Sequence, residues 1–273
     1  MTKQERVAEA IKQVITTMMD RVMVRVLIED PFLKDEHHYN KPLYAALVPD
    51  EIFKGSHFER RFVTPFGKVW ENLAKVVATE AHGHCEVGHT ITGNVGMGRL
   101  RRIQEVLNRM YSKNYEFDWD KEIKYILAGR GQLLPVTIKC DIFINNEQTE
   151  ETYIFELEKS ESDRYEIRAS IEKIFKLLAM TPPQVTSAYY ALPYNPYGKK
   201  ENYKWVFPMR WFNMHTDESV LIGDEFWDLI GGTGTYANFI KEINLLGKEY
   251  HERIYREFLD IEPPKKSEEN VLK

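Results

Sequence analysis

Apolar residues recur every three or four positions in three parts of the chain, and this spacing predicts amphipathic helices. The predicted helices cover residues 3–19, 67–80 and 99–111. Residues 21–28 alternate between apolar and polar types and are predicted to form a strand, whereas His37, His38 and Tyr39 are predicted to lie in a loop. A second loop, rich in glycine, histidine and threonine, is predicted at residues 82–98.

The middle of the chain alternates strictly between apolar and polar residues, and it predicts a β-hairpin. Residues 136–144 place Asp141 on one face and an apolar row on the other. Residues 152–160 follow a polar turn and place Glu156 and Glu158 together on one face. If the two strands pair, three carboxylates lie on the same side of one sheet.

The next segments predict a crossover connection and a helical C-terminal part. A helix over residues 163–180, ended by two prolines, is followed by a strand over residues 184–192, so the helix would carry the chain back beside the hairpin. A short strand, a short helix, a glycine-rich turn and a long helix are predicted beyond it, at residues 219–223, 224–230, 231–236 and 236–258.

These elements indicate a mainly helical region at residues 1–90 and a core with a helical C-terminal extension at residues 91–261. The polar, proline-bearing segment 262–273 is expected to be a disordered tail.

Composition limits the class of protein. The 273 residues are 43% hydrophobic and 12% aromatic, as in packed globular domains, and no apolar run approaches the ~20 residues of a membrane span. Two cysteines give no disulfide framework and the N-terminus lacks a signal-peptide pattern, so a cytoplasmic protein is expected. The net charge of −5 excludes a protein coated in positive charge, but it is compatible with a nucleic-acid enzyme that has a local basic groove.

Three carboxylates on one face repel each other unless a cation lies between them, and oxygen ligands suit Mg²⁺. Asp141, Glu156 and Glu158 therefore suggest a divalent-metal site for phosphodiester cleavage. The alternative is an ordinary half-exposed hairpin with its acids in solvent.

This arrangement resembles the PD-(D/E)xK nuclease core, in which an Asp on one strand, and a Glu two positions before a Lys on the next, act at the metal. More specifically, the chain resembles TdeIII-type type II restriction endonucleases, through the segments Phe-Glu-Leu-Glu-Lys-Ser at 155–160, Tyr-Ala-Leu-Pro-Tyr-Asn-Pro at 190–196, Leu-Ile-Gly-Asp-Glu-Phe-Trp-Asp-Leu-Ile-Gly-Gly at 221–232 and Gly-Asn-Val-Gly-Met-Gly-Arg-Leu-Arg-Arg at 93–102.

The resemblance implies an α/β (α+β) fold, with a mixed sheet flanked by helices and helical additions at both ends. It implies a site-specific deoxyribonuclease in which Asp141 and Glu156 bind Mg²⁺. The expected substrate is double-stranded DNA with a short symmetric site, and GGNCC is the sequence associated with this family. A homodimer without membrane contact and a cognate DNA methyltransferase are also expected.

The third motif position departs from the family pattern, because Glu158 stands where the motif has lysine. Glu158 itself is the first candidate for the third catalytic residue. Lys159, brought round by a bulge, is the second, and Lys139 is the third. An inactive descendant of the family is the remaining alternative.

Other residues are candidates for contacts to DNA or metal. Arg99, Arg101 and Arg102 follow a glycine-rich loop at a helix start and could bind phosphate, and Asn195 in a later loop is a further candidate. A solvated charged face is the alternative for the arginines.

Zinc ligands at His82, His84, Cys85 and His89 would have a spacing that matches no common structural zinc site. Residues 231–234 lack the Gly-Lys-Ser/Thr ending of a P-loop and are predicted to be a turn.

Two other functions compete with restriction. A nuclease-like fold that binds DNA without cutting it would explain Glu158 at the lysine position. A structure-specific repair nuclease would keep the same chemistry but select branched DNA.

Overall fold

The computed structural model describes residues 1–112, 115, 117–159 and 161–264. The chain divides into two compact units, one made of residues 1–73 with the chain from 237 onward, and one made of residues 74–236. These bounds differ from the 1–90 and 91–261 regions expected from the sequence. Most of the tail expected at 262–273 lies outside the described residues, which end at 264.

The first unit is helical. Helix α1 (Lys3–Val24) begins with a capping box between Thr2 and Glu5, which satisfies free N–H groups of its first turn. The further helices with residues in this unit are α2 (Lys34–Asn40), α3 (Pro42–Leu47), α4 (Asp50–His82) and α9 (Thr235–Arg253), and π-helical turns follow α1 and α9 at Arg25–Glu29 and Ile254–Leu259.

Two predictions in this unit were wrong. Residues 21–28 are helical, because Val22 and Val26, four positions apart, are both buried and pack with Phe258. His37, His38 and Tyr39 belong to helix α2 rather than to a loop.

The second unit contains, in its described residues, a mixed five-stranded sheet. In spatial order its strands are β1 (Gly83–Val87), β4 (Ile142–Asn146), β5 (Thr152–Leu157), β6 (Ser187–Leu192) and β7 (Val220–Ile222). Strand β4 pairs antiparallel with β1 and β5, and β6 and β7 continue the sheet in parallel with β5. Strands β2 (Thr90–Gly96) and β3 (Leu133–Lys139) form a separate antiparallel pair.

Helices flank the sheet and supply the rest of the core. Those of the second unit are α5 (Met97–Arg109), α6 (Trp119–Leu127), α7 (Arg164–Leu178) and α8 (Asp224–Gly231). Helix α7 connects β5 to its parallel neighbour β6, which confirms the predicted crossover. Among all described residues, no helix combines the length and the apolar content needed to cross a membrane.

Two predictions in the second unit were also wrong. The predicted loop 82–98 forms β1 and β2, whose ends are marked by Gly83 and Gly88 at positive φ. The predicted continuous strand 136–144 divides between two sheets. At the division the Cys140 N–H donates to the carbonyl of His89, and the Gly88 N–H donates to the carbonyl of Asp141. Because apolar and polar residues continue to alternate across this break, the sequence pattern does not show where one strand ends and the next begins.

The glycine-rich turn after α8 is structural. Asp228 accepts hydrogen bonds from the backbone N–H groups of Gly234 and Tyr236, both at 3.0 Å. These bonds satisfy free donors at the start of α9, as a capping side chain does. The turn is therefore held by a carboxylate, as expected of a turn rather than of a phosphate-binding loop.

We expect Asp228→Ala to lower the free energy of unfolding by about 1 kcal/mol, the usual cost of losing a helix cap. Urea denaturation would measure it. Asp228→Asn, which keeps one acceptor oxygen, should lose less than the alanine variant. Equal stability of Asp228→Ala and the wild type would show that the cap is not needed.

Candidate active site

Asp141 and Glu156 lie next to each other across the β4–β5 pair. The last registered pair at this end is Ile142 with Phe155, and Asp141 and Glu156 are the next positions outward. The Asp141 carboxylate is fixed by the β5 backbone, because its Oδ2 accepts a hydrogen bond of 2.9 Å from the N–H of Leu157. The break between β3 and β4 thus places Asp141 at the end of β4, against the central strand.

Glu156 is fully buried, with a relative exposure of 0%. Its neighbours Ile154 and Phe155 are also buried, so both faces of β5 are covered here. One oxygen, Oε2, accepts a hydrogen bond of 2.6 Å from Lys173 Nζ. The other, Oε1, is buried without a hydrogen-bond partner among the described residues. The environment of Glu156 therefore differs from that of an ordinary half-exposed hairpin, in which the acidic side chains lie in solvent.

The environment of Glu156 disfavours its charged form. Burial raises the pKa of Glu156 to about 8, and the negative charge of Asp141 adds to the effect. Lys173 opposes both, but it does not outweigh them. A carboxylate in this position favours any additional cation that can reach its free oxygen.

Lys173 is a residue of the site that sequence reasoning missed. It lies on the crossover helix α7, and its side chain is 35% exposed, compared with 1% for that of Glu156. Partial burial acts to lower the pKa of Lys173, but the hydrogen bond to Glu156 and the charges of Asp141 and Glu158 raise it overall. The available signal was helical spacing, since Ser170, Ile174 and Leu177 are buried on adjoining positions of α7.

Glu158 follows β5 and is half-buried. Its Oε1 accepts a hydrogen bond of 2.6 Å from Ser170 Oγ, and its Oε2 accepts one of 2.7 Å from Ser162 Oγ. Burial raises the pKa of Glu158, although the two serine hydroxyls act against the shift. Both oxygens of Glu158 are therefore engaged by hydroxyls at the start and in the body of the α7 segment.

The other two candidates for the third position lie differently. Lys159 is exposed, and neither it nor Lys139 hydrogen-bonds Asp141 or Glu156 in the described part of the chain. Lys139 is on β3 in the small sheet, where it pairs with Thr90. Its side chain covers Gly88, since a Cβ added to Gly88 would lie 2.9 Å from Lys139 Cε.

A metal would need ligands beyond the protein. Within the described residues, no group of three or more His, Cys, Asp or Glu side chains could hold a metal ion. Asp141 and the free oxygen of Glu156 fit a two-carboxylate site that water and phosphate oxygens would complete.

The histidine-rich segment shows no zinc geometry. Glu86 bridges His84 Nε2 at 2.9 Å and His89 Nδ1 at 2.7 Å, and His82 Nε2 lies 3.3 Å from the carbonyl oxygen of Leu229. Burial raises the pKa of Cys85 to about 12, so its thiol stays protonated.

Most of the proposed DNA-binding residues are engaged within the protein. Arg99 donates to the carbonyl of Ala179 and to Thr181 Oγ1, and Arg102 donates to the carbonyl of Tyr125. Arg101 differs, because its side chain is 74% exposed and its contact to Glu105 is a loose 3.4 Å.

Asn195 is buried at 2% exposure and holds its own turn. Its Nδ2 donates to the carbonyl of Lys199, and its Oδ1 accepts from the N–H of Tyr197. Of the four residues predicted to bind DNA, Arg101 is thus the most available to a phosphate.

Comparison with known proteins finds restriction enzymes that are similar to this chain. Over 231 residues the chain is 22% identical to the type II restriction enzyme HgiCII from Herpetosiphon aurantiacus. This alignment covers 80% of this chain and 82% of HgiCII. It is 21% identical over 223 residues to HgiBI from the same organism, covering 76% and 77%. The family model for the type II restriction endonuclease HinfI matches residues 7–247, whereas the sequence motifs had pointed to TdeIII-type enzymes. The chain therefore belongs to the HinfI family of type II restriction endonucleases, which are site-specific deoxyribonucleases.

Proposed function

We propose that this enzyme makes Mg²⁺-dependent double-strand cuts at a short symmetric DNA site, with Asp141 and Glu156 as the metal-binding residues. The observation that carries the proposal is the buried Glu156 Oε1, which has no hydrogen-bond partner among the described residues. Glu156 lies across the β4–β5 pair from Asp141. A buried carboxylate oxygen without a donor is costly, and a divalent cation would satisfy it.

Each residue has a separate part in the reaction. Bound Mg²⁺ would lower the pKa of a water and stabilise negative charge on the phosphate. Asp141 is oriented by the Leu157 N–H, which leaves its other oxygen for the metal. Burial of Glu156 keeps bulk water away from one side of the site. The exposed guanidinium of Arg101 is suited to a backbone phosphate, which would position the duplex without reading its sequence.

The remaining features follow from the restriction function. We take GGNCC, associated with the TdeIII-type resemblance, as the first sequence to test. A symmetric site is most simply bound by a two-fold homodimer, and a DNA methyltransferase would have to protect the same site in the host. The cytoplasm is where incoming DNA would be met.

A non-cleaving DNA-binding module is the second candidate function, and Glu158 at the lysine position favours it. Such a protein would retain specific DNA without nicking it in Mg²⁺ or Mn²⁺. Membership of an endonuclease family supports cleavage instead.

We expect the purified protein to cut phage DNA into discrete bands in Mg²⁺ and to leave it intact in EDTA. Asp141→Ala should abolish cleavage, because it removes one of two protein ligands, while DNA binding in Ca²⁺ survives. Gel electrophoresis and gel shift would measure the two properties.

Glu150→Gln is the matched control, since this exposed carboxylate lies in the turn at the opposite end of the same hairpin. It should cut like the wild type. Cleavage by Asp141→Ala at the wild-type rate would contradict the assignment of the active site. Bands that form equally in EDTA would contradict the proposed dependence on a metal.

We expect Glu156→Gln to raise the Tm in EDTA at pH 8 by about 2 °C or more, since ~1 kcal/mol corresponds to that shift in a chain of this size. The pKa of Glu156 is raised to about 8, so its charge destabilises the folded state increasingly as pH rises from ~4.5 towards 8. The difference should shrink as pH falls and disappear below ~4.5, where the carboxyl is protonated in both the folded and the unfolded wild type.

Added Mg²⁺ should raise the Tm of the wild type but not that of Glu156→Gln. Differential scanning calorimetry would measure both effects. An equal Mg²⁺ response in the two proteins would show that the metal does not bind Glu156.

We expect a sedimentation mass of about twice 32.2 kDa for the wild type. Helices α2 and α3 have no buried residues, and Leu43 and Leu47 are 76% and 82% exposed, so this apolar surface is available to a second copy. Leu43→Glu with Leu47→Glu should shift the mass towards the monomer, whereas Lys12→Glu, an exposed residue of α1, should not. A monomeric wild type would contradict the proposed homodimer.

A further inference from the structure

We propose that Lys173, on helix α7, is the lysine that contacts the reacting phosphate and its attacking water, and that Glu158 anchors α7 instead of acting in the chemistry. The inference rests on the proposed metal-dependent cleavage at Asp141 and Glu156. It assigns the third position of the site to a residue outside the linear motif.

The position of Lys173 supports this role. Its Nζ lies 2.6 Å from Glu156 Oε2, and Asp141 and Glu158 also act electrostatically on it. The side chain of Lys173 is 35% exposed whereas that of Glu156 is 1% exposed, so Lys173 is the member of this pair that solvent reaches. A phosphate approaching the carboxylates from solvent would meet this ammonium group.

The engagement of Glu158 supports the second half of the inference. A general base takes a proton from the attacking water, but each oxygen of Glu158 accepts a serine hydroxyl, and these two hydrogen bonds hold the carboxylate against the α7 segment and lower its basicity. Ser162 directly precedes Asp163, the N-cap of α7, and Ser170 lies one turn before Lys173 on that helix. Glu158 thus ties the end of β5 to α7 and fixes the helix that carries the lysine.

The crossover explains how the lysine can change position along the chain. In the family motif the lysine extends from the strand two residues after the glutamate. Here α7 follows β5 and packs over the same sheet before β6, so a helix residue reaches the same carboxylate. The chemistry requires a cation at that place in space, and either element can supply it.

The reaction balances without another reactant. The water oxygen forms a bond to phosphorus, the bond from phosphorus to the leaving sugar oxygen breaks, and the proton lost by the water is balanced by one gained by the leaving oxygen. Lys173 keeps its charge throughout, and it donates hydrogen bonds to the phosphate oxygen and the water as negative charge develops.

The test compares Lys173→Gln and Lys173→Arg with the wild type under single-turnover conditions in Mg²⁺. We expect Lys173→Gln to cleave ~100-fold more slowly or worse, as when one preorganised donor is removed, with DNA binding in Ca²⁺ unchanged within about threefold. Lys173→Arg should cleave about tenfold faster than Lys173→Gln, because it keeps a cation at this place. A merely structural role would weaken binding and cleavage together.

Lys176→Gln is the matched control, since Lys176 lies one turn further along α7 and pairs with Glu172. It should cleave at the wild-type rate. Glu158→Gln should retain at least about a tenth of the rate, whereas loss of a general base costs ~100-fold or more. Lys159→Gln is measured alongside, and a larger loss there than at Lys173 would overturn the assignment.

Folding is checked by the Tm of each variant. If Lys173→Gln does not fold, Lys173→Met replaces it, because methionine keeps an unbranched side chain without the charge; a wild-type rate in that variant would then overturn the inference. If the wild type cuts and Lys173→Gln cuts equally fast, the role of Lys173 is refuted and the proposed function stands. If the wild type cuts with neither Mg²⁺ nor Mn²⁺, both the proposed function and this inference are refuted.

Discussion

The organisation of the site depends on one constraint, the burial of the Glu156 carboxylate in the central strand of the sheet. A charge taken out of water must be paired, and breaking such a pair leaves an uncompensated charge in the interior. Lys173 provides the pair at 2.6 Å, and it can do so only because α7 crosses over from β5 to the parallel strand β6. The fold and the electrostatics of the site therefore depend on each other.

The second constraint is the division of the predicted strand at Cys140 and Asp141. Strand β3 pairs with β2, and β4 pairs with β1 and β5, so the chain changes sheets at this point. Asp141 lies at the break between the two strands, and its carboxylate accepts a hydrogen bond from the Leu157 N–H, beside Glu156. Two carboxylates thereby meet at a sheet end, where a ligand can approach from outside.

Local patterns were sufficient for the hairpin, the crossover helix and the position of Asp141 beside Glu156, because strand and helix periods decide which residues share a face. They failed where tertiary pairing decides. Residues 82–98 contain glycines that suggest a loop, yet long-range partners make them strands. Helical spacing places Lys173 beside buried positions of α7, but no local feature distinguishes a lysine that meets a buried acid from one in solvent. The same holds for Arg99 and Arg102, whose partners lie far along the chain.

A motif written as a linear spacing describes one way to place charges, and it assumes that they all come from the strands. This chain keeps the two carboxylates on the strands and has an acid where the motif has lysine. Along the sequence alone, that change leaves Glu158, Lys159 and Lys139 as candidates for the third catalytic residue, with a lost activity as the remaining alternative. In the fold, the acid is engaged by Ser162 and Ser170, and an ammonium group from α7 stands at the carboxylate instead. The substitution and the helix lysine are therefore best understood together, since a lysine at 158 would place a second cation beside Lys173 and remove the carboxylate to which Ser162 and Ser170 donate.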